Sequence, residues 1–86
     1  MAITNRLGEL MAERRRLTGE RLSQDDLAAA TGIAQSTISA YVTNRTLRYD
    51  VRVVARLLEY FGVGLSDFFV YDPDEIEKDR VVLAAS

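Results

Sequence analysis

The chain has neither cysteine nor histidine among its 86 residues, and it has a single proline. Without cysteine it forms no disulfide and no thiolate metal site, and without histidine it lacks the commonest catalytic base and metal ligand. We therefore expect no metal, no cofactor and no enzymatic activity. No apolar run approaches the length of a membrane span, and the opening MAITNRLGEL lacks the basic and apolar segments of a signal peptide. The simplest interpretation is a cytoplasmic protein with no membrane partner.

Length and charge are compatible with one small domain whose two ends differ in sign. A chain of 86 residues buries one core, but not a second ligand-binding or catalytic domain. The formal net charge is -2, yet residues 1–56 carry nine arginines against six acids, whereas residues 57–86 carry two cations against seven acids. Because exposed charges more than about 10 Å apart are largely screened, phosphates sense the local basic face. The acidic total does not exclude binding to nucleic acid.

The stretch from Ser23 to Thr43, SQDDLAAATGIAQSTISAYVT, has the pattern of two short helices around a glycine. Ser23 is predicted to cap the first helix, which begins near Gln24, and Asp26 approximates the acidic partner of a capping box. Gly32 supplies the left-handed residue that ends this helix, and an apolar helical period then resumes. The pattern predicts a helix-turn-helix, the motif whose second helix enters the major groove of DNA.

Several positions in this stretch fall in the register of a known family: Gln24, Leu27, Ala28, Gly32, Ile33, Gln35, Ser36, Ile38 and Tyr41. Over about residues 4–71 the chain resembles the phage repressor and Cro type helix-turn-helix family, the lambda repressor-like DNA-binding domains. The resemblance implies an all-α, compact five-helix domain with a short C-terminal tail. The chain departs from the family pattern in three places. Thr31 stands where the family prefers an apolar residue, Asn44 stands where glycine is usual, and the loop at residues 18–22 is somewhat long. Only Asn44 affects backbone geometry, and asparagine tolerates the left-handed region better than most residues.

Three further helices are predicted around the motif, over about residues 5–17, 51–61 and 65–71. Thr4 is the expected cap of the first helix and Asp50 that of the second. The expected core side chains are Leu7, Leu10, Met11 and Leu17 of the first helix, and Val51, Val54, Leu57, Leu58 and Phe61 of the second.

The second motif helix presents short side chains on its predicted outer face. With a period of about 3.6 residues, Ile38 and Tyr41 turn inward. The candidate base-reading residues are Gln35, Ser36, Ser39 and Ala40. Glutamine can pair with adenine, serine can bond several bases, and the alanine methyl can touch a thymine methyl. A polar, solvated helix face is the alternative, but the surrounding motif favours base reading.

A second set of polar side chains flanks that helix and is suited to phosphate. Gln24 opens the first motif helix, where the helix dipole also favours an anion, and the family resemblance implies that its side chain braces Gln35. The candidate phosphate-binding residues are Gln24, Thr43, Asn44, Arg45, Arg48 and Tyr49. The alternative is an ordinary polar loop in which Tyr49 covers the core. The basic run at residues 14–16 has two interpretations, a contact with the DNA backbone or a favourable interaction with its own helix dipole.

Two classes of function fit these features. The first is a sequence-specific DNA-binding transcriptional regulator that reads double-stranded DNA with the helix around residues 35–43, as a homodimer on an inverted repeat, because one helix reads few base pairs. The second is an antitoxin or other protein-interaction module, which binds a partner protein with its acidic tail or with a surface of Phe68, Phe69 and Tyr71.

We assign residues 1–71 to the DNA-binding domain and 72–86 to an acidic tail. The tail is a candidate dimer contact, and it is compatible with a helix start, a strand or a solvated terminus.

Overall fold

A computed structural model describes residues 3–73, so most of the acidic tail lies outside the described residues. The elements in chain order are β1 (Ile3–Asn5), α1 (Leu7–Thr18), α2 (Gln24–Thr31), α3 (Gln35–Val42), α4 (Val51–Phe61), α5 (Leu65–Phe68) and β2 (Phe69–Tyr71). The described chain is mostly helical, with five helices, which agrees with the predicted helix-turn-helix domain. It also contains a two-stranded antiparallel sheet of β1 and β2, which corrects the all-α prediction.

Local chemistry sets the bounds of α2 as predicted. The hydroxyl of Ser23 accepts a hydrogen bond from the amide of Asp26 at 3.1 Å, and the Asp26 carboxylate accepts one from the amide of Ser23 at 3.0 Å. This reciprocal pair satisfies two amides that the helix itself leaves without partners. Gly32 ends α2 in the left-handed region, at φ 74°. The predicted capping box and glycine turn are both confirmed.

The sheet changes the start of α1 and the end of α5. Thr4 pairs with Val70 inside the sheet, so it is a strand residue and not the predicted helix cap. Instead, the side-chain oxygen of Asn5 accepts a hydrogen bond from the amide of Leu7, where α1 begins. The predicted fifth helix was too long, because residues 69–71 pair with residues 3–5. The sheet thereby joins the two ends of the described chain.

The core lies between the helices and is closed by α5. Its buried apolar side chains are Leu7, Met11, Leu27, Ile33, Ile38, Tyr41, Val54, Leu57 and Phe68. Two predicted core residues are wrong, since Leu17 is 75% exposed and Val51 is 80% exposed. Leu17 lies in the last turn of α1, where it lines an open surface groove with Phe61 and Val63, and Val51 is the first residue of its helix. None of the described helices is long and apolar enough to span a membrane.

Candidate nucleic-acid interface

The outer face of α3 presents the four candidate base-reading side chains together. Ile38 and Tyr41 are buried, which fixes the rotation of the helix about its own axis. Gln35 and Ser36 in the first turn are exposed. Ser39 and Ala40, one turn later, are half-buried and lie on the same side of the helix. The result is an outward surface of short side chains that a DNA groove can approach closely.

A hydrogen bond between α2 and α3 braces the first of these side chains. The side-chain nitrogen of Gln35 donates to the side-chain oxygen of Gln24 at 3.0 Å. The predicted contact between the two glutamines is therefore confirmed. The side-chain oxygen of Gln35 and one hydrogen of its side-chain nitrogen have no partner within residues 3–73. These are the acceptor and donor that glutamine can present to adenine.

The turn between α2 and α3 is tied to α4 behind it. A guanidinium nitrogen of Arg56 donates to the carbonyl oxygen of Thr31 at 3.2 Å, just before the left-handed Gly32. The Thr31 hydroxyl donates to the carbonyl of Leu27 at 2.7 Å and accepts from the amide of Ile33 at 3.3 Å. A hydroxyl at this usually apolar position is thus satisfied within its own turn.

The loop after α3 carries two exposed arginines that differ in how they are held. The Thr43 hydroxyl donates to the carbonyl of Ser39 at 2.8 Å and accepts from Nε of Arg45 at 2.8 Å. This chain of bonds orients the Arg45 guanidinium at the end of α3. The Arg48 guanidinium has no hydrogen-bond or ion-pair partner within residues 3–73. Both arginines are exposed in the loop that follows α3.

Asn44 and Tyr49, two candidate phosphate-binding residues, use most of their hydrogen-bonding capacity inside the protein. Asn44 has φ 55°, so asparagine occupies the left-handed region as expected. Its side chain bonds both the backbone and the side chain of Asn5. The Tyr49 hydroxyl accepts from the side-chain nitrogen of Asn5 at 3.0 Å, and the Tyr49 ring packs edge-on against Tyr41 and Phe69. Tyr49 therefore covers the core, and each of the two side chains keeps one donor hydrogen without a partner in the described chain.

Asn5 is the residue of this region that sequence reasoning missed. We assigned it to the first turn of a helix, but it is a buried strand residue, 7% exposed. An asparagine just before an apolar helical period is a cap signal, which could have predicted the bond between Asn5 and Leu7 in place of the cap at Thr4. Nothing local indicated its contacts with the end of α3.

The basic run of α1 follows neither of the two interpretations in full. A guanidinium nitrogen of Arg14 donates to the carbonyl of Tyr60 at 2.9 Å, and the guanidinium carbon lies 4.4 Å from the centre of the Tyr60 ring. Arg14 therefore joins α1 to α4 through a hydrogen bond and a cation–π contact. Arg16 forms an exposed ion pair with Glu13. Arg15, in the last turn of α1, stays exposed next to the helix dipole.

Hydrogen bonds at the helix starts lower the pKa of two carboxyl groups. The amide and hydroxyl of Ser23 lower the pKa of Asp26, and bonds from Arg52 lower that of Asp50. Both carboxylates are therefore ionised at neutral pH, and their negative charges interact favourably with the positive ends of the α2 and α4 dipoles. Burial raises the pKa of Tyr41, whose hydroxyl accepts from the amide of Asp50 at 3.2 Å. The tyrosine thus stays neutral and supports the loop after α3.

The capped α2, the left-handed glycine and the outward polar face of α3 define a helix-turn-helix DNA-binding domain. The family model of the Cro/C1-type helix-turn-helix DNA-binding domain matches residues 6–74, and the chain belongs to this family. A curated relative, an uncharacterised HTH-type transcriptional regulator of Methanocaldococcus jannaschii, is 34% identical over 56 residues, which cover 63% of this chain and 80% of the relative. No solved structure matches the chain.

Proposed function

We propose that the protein is a sequence-specific transcriptional regulator that places α3 in the major groove of double-stranded DNA. The observation that carries this proposal is the outward face of α3, braced by the bond between Gln24 and Gln35. Membership of a DNA-binding family supports it, and the description of the relative as a transcriptional regulator supports the regulatory role. The proposed base-reading residues are Gln35, Ser36, Ser39 and Ala40.

Base reading falls mainly to Gln35, because it is exposed and its position is fixed by Gln24. Two hydrogen bonds between glutamine and the major-groove edge of adenine discriminate against a wrong base by about 1–3 kcal/mol. Ser36 is equally exposed and can serve as donor or acceptor, whereas half-buried Ala40 offers a methyl group to a thymine methyl. The expected half-site therefore contains at least one A·T pair.

Phosphate contacts come from both sides of that helix. Gln24 and the amides that open α2 meet the phosphate backbone on one side. Arg45 and Arg48 neutralise phosphates on the other side, with the Thr43 hydroxyl holding Arg45 in place. The remaining candidates, Asn44 and Tyr49, support the loop that carries these arginines, because most of their hydrogen-bonding groups are used inside the protein.

A homodimer on an inverted repeat completes the proposal. The recognition helix has eight residues, which limits it to a few base pairs. A second copy, related by a two-fold axis, reads the same sequence about 34 Å further along the duplex, which corresponds to one helical turn. Doubling the number of contacted base pairs gives the specificity that one short helix lacks.

Selection of binding sites from random duplex DNA tests this function directly. We expect enrichment of an inverted repeat whose half-sites are centred about 10 base pairs apart. The mass of the complex on the selected duplex should correspond to two protein chains. If no sequence were enriched even at low salt, where electrostatic binding is strongest, the proposed function as a sequence-specific regulator would be refuted.

A protein-interaction module is the second candidate, and one surface favours it. Phe69 and Tyr71 line an open apolar groove of about 440 Å³ together with Ile3 and Leu65. The surface predicted from the sequence is corrected at one position, because Phe68 is fully buried and is not available to a partner. Failure of the DNA selection combined with stable capture of a protein would favour this candidate.

A further inference from the structure

Asn5 forms several hydrogen bonds at the end of α3. Its side-chain oxygen accepts from the amide of Leu7 at 2.9 Å. Its side-chain nitrogen faces the carbonyl of Tyr41 at 2.9 Å, the side-chain oxygen of Asn44 at 3.1 Å and the hydroxyl of Tyr49 at 3.0 Å. Because Asn5 is 7% exposed, these bonds compete little with water. The residue links β1 to α1, to the end of α3 and to the loop after it.

Asn44 returns these contacts from the left-handed position after α3. Its side-chain oxygen also accepts from the backbone amide of Asn5 at 2.8 Å, and its side-chain nitrogen donates to the backbone carbonyl of Asn5 at 3.3 Å. A glycine would adopt φ 55° at less cost than asparagine. The turn alone therefore does not require asparagine here, whereas the tie to β1 does.

The two ends of this network enclose the segment that carries the arginines. Asn44 immediately precedes Arg45, whose amide donates to the carbonyl of Ala40 at 2.9 Å. Tyr49 immediately follows Arg48, and Asn5 holds its hydroxyl. Both ends of residues 44–49 are thus fixed to the same buried side chain. Fixing a loop before binding lowers the entropy that is lost when its side chains meet a ligand.

We propose that Asn5 and Asn44 are positioning residues for the phosphate contacts of Arg45 and Arg48. Asn5 is buried and acts on DNA through the loop, not by contact. This inference rests on the proposed DNA-binding function and adds to it the origin of the loop geometry. Removing the network should weaken binding to any duplex, while the base preference set by α3 stays the same.

Asn44→Gly is the most direct test, because glycine keeps the left-handed backbone and removes only the side chain. We expect affinity for specific and for scrambled duplexes to fall by a similar factor, about threefold to tenfold at fixed salt. The base preference, measured by competition with single-base variants, should not change. Far-UV circular dichroism at the binding temperature establishes that the variant is folded.

Asn5→Ser gives an independent test from the buried side of the network. Serine retains an oxygen for the amide of Leu7 but cannot reach Asn44, Tyr41 and Tyr49 together. The same loss of affinity is expected at both duplexes. Thr4→Ala is the matched control, since Thr4 lies in the same strand outside the network and should leave affinity within about twofold of the parent.

The decisive arm repeats both variants in a background that already carries Arg45→Ala and Arg48→Ala. If the asparagines act through the arginines, their replacement should change affinity by less than about twofold in this background. An equal loss in both backgrounds would show that they contact DNA directly or act elsewhere, and would overturn the inference. Parent-like affinity of folded Asn44→Gly would also overturn it, even if Asn5→Ser proves too unstable to measure. A parent that binds no DNA would instead refute the proposed function itself.

Discussion

Gly32→Ala and Gly32→Val probe the turn on which the helix-turn-helix depends. Gly32 has φ 74° and ψ 10°, and a β-carbon in this left-handed region crowds the neighbouring carbonyl. We expect both variants to fold less stably than the parent because the strain exists only in the folded state. The unfolded chain accommodates either side chain freely.

The magnitude follows from strain, unfolded-state entropy and the surroundings of the new side chain. Left-handed backbone costs an L-residue about 1–2 kcal/mol, and a Gly-to-Ala change returns about 0.4–1 kcal/mol through the unfolded chain. We therefore expect Gly32→Ala to lose about 1 kcal/mol, or roughly 4–8 °C in melting temperature for a domain of this size. The β-carbon would lie 3.4 Å from the guanidinium of Arg56, the flexible end of a side chain. Valine adds branched crowding there, so its loss should reach about 2–3 kcal/mol.

Thermal and urea unfolding followed by far-UV circular dichroism measure these losses, with two glycines as controls. Gly19 has the same φ of 74°, and no atom lies within 4 Å of the place that its β-carbon would take, so Gly19→Ala should lose as much as Gly32→Ala. Gly64 has φ -96°, and its β-carbon would make an ordinary contact at 3.7 Å, so Gly64→Ala should not be strained. If Gly32→Ala were as stable as Gly64→Ala, the argument from left-handed strain would be refuted.

Three further outcomes are expected. Gln35→Ala should weaken specific binding by about 1–3 kcal/mol and relax the base preference at one position in each half-site, with folding nearly unchanged. Competition against single-base variants of the site measures this preference, and an unchanged preference would show that Gln35 does not read a base. Arg45→Ala and Arg48→Ala should each weaken binding to the selected site and to a scrambled duplex by similar factors, and each should lower the slope of log affinity against log salt by about one per protomer. Unchanged slopes in both variants would place the phosphate contacts elsewhere. Bonds from Arg52 hold the pKa of Asp50 below its ordinary value of 3.8, so their stabilisation is present above that value and is lost as pH falls through the lower folded pKa. Asp50→Asn still caps α4 without titrating, so acid should destabilise the variant less than the parent, and equal acid sensitivity in urea unfolding would contradict this role.

The motif itself could be predicted from the sequence because its determinants are local. The bonds between Ser23 and Asp26 span three positions, and the left-handed Gly32 follows directly after the helix that it ends. Ile38 and Tyr41 are buried as their helical spacing indicates. Membership of the helix-turn-helix family is confirmed for the same reason, since these residues carry the pattern. The contact between Gln24 and Gln35 is confirmed too, but it was inferred from the family resemblance.

Helix ends and exposed apolar residues were harder to predict. The apolar period of a helix identifies which face is apolar, but not how far along the helix the core covers that face. Leu17 continues the apolar pattern of α1 into its last turn, where it lines an open groove and not the core. Val51 likewise starts α4 at an exposed position. Residues 69–71 are of types common in strands, but a segment of three residues needs a partner, and residues 3–5 supply it.

Only the tertiary structure decided the contacts of Asn5, Asn44 and Arg14. Asn44 was suited by residue type to a turn or a phosphate contact, and its partner Asn5 lies 39 positions away in the chain. The sequence indicated that Arg14 is a surface cation, but its guanidinium donates to the carbonyl of Tyr60, which lies 46 positions away in the chain. Bonds within one helical turn follow from spacing, because the backbone fixes those distances. Bonds between distant segments depend on how the core packs, and that geometry brings Asn5 to the end of α3.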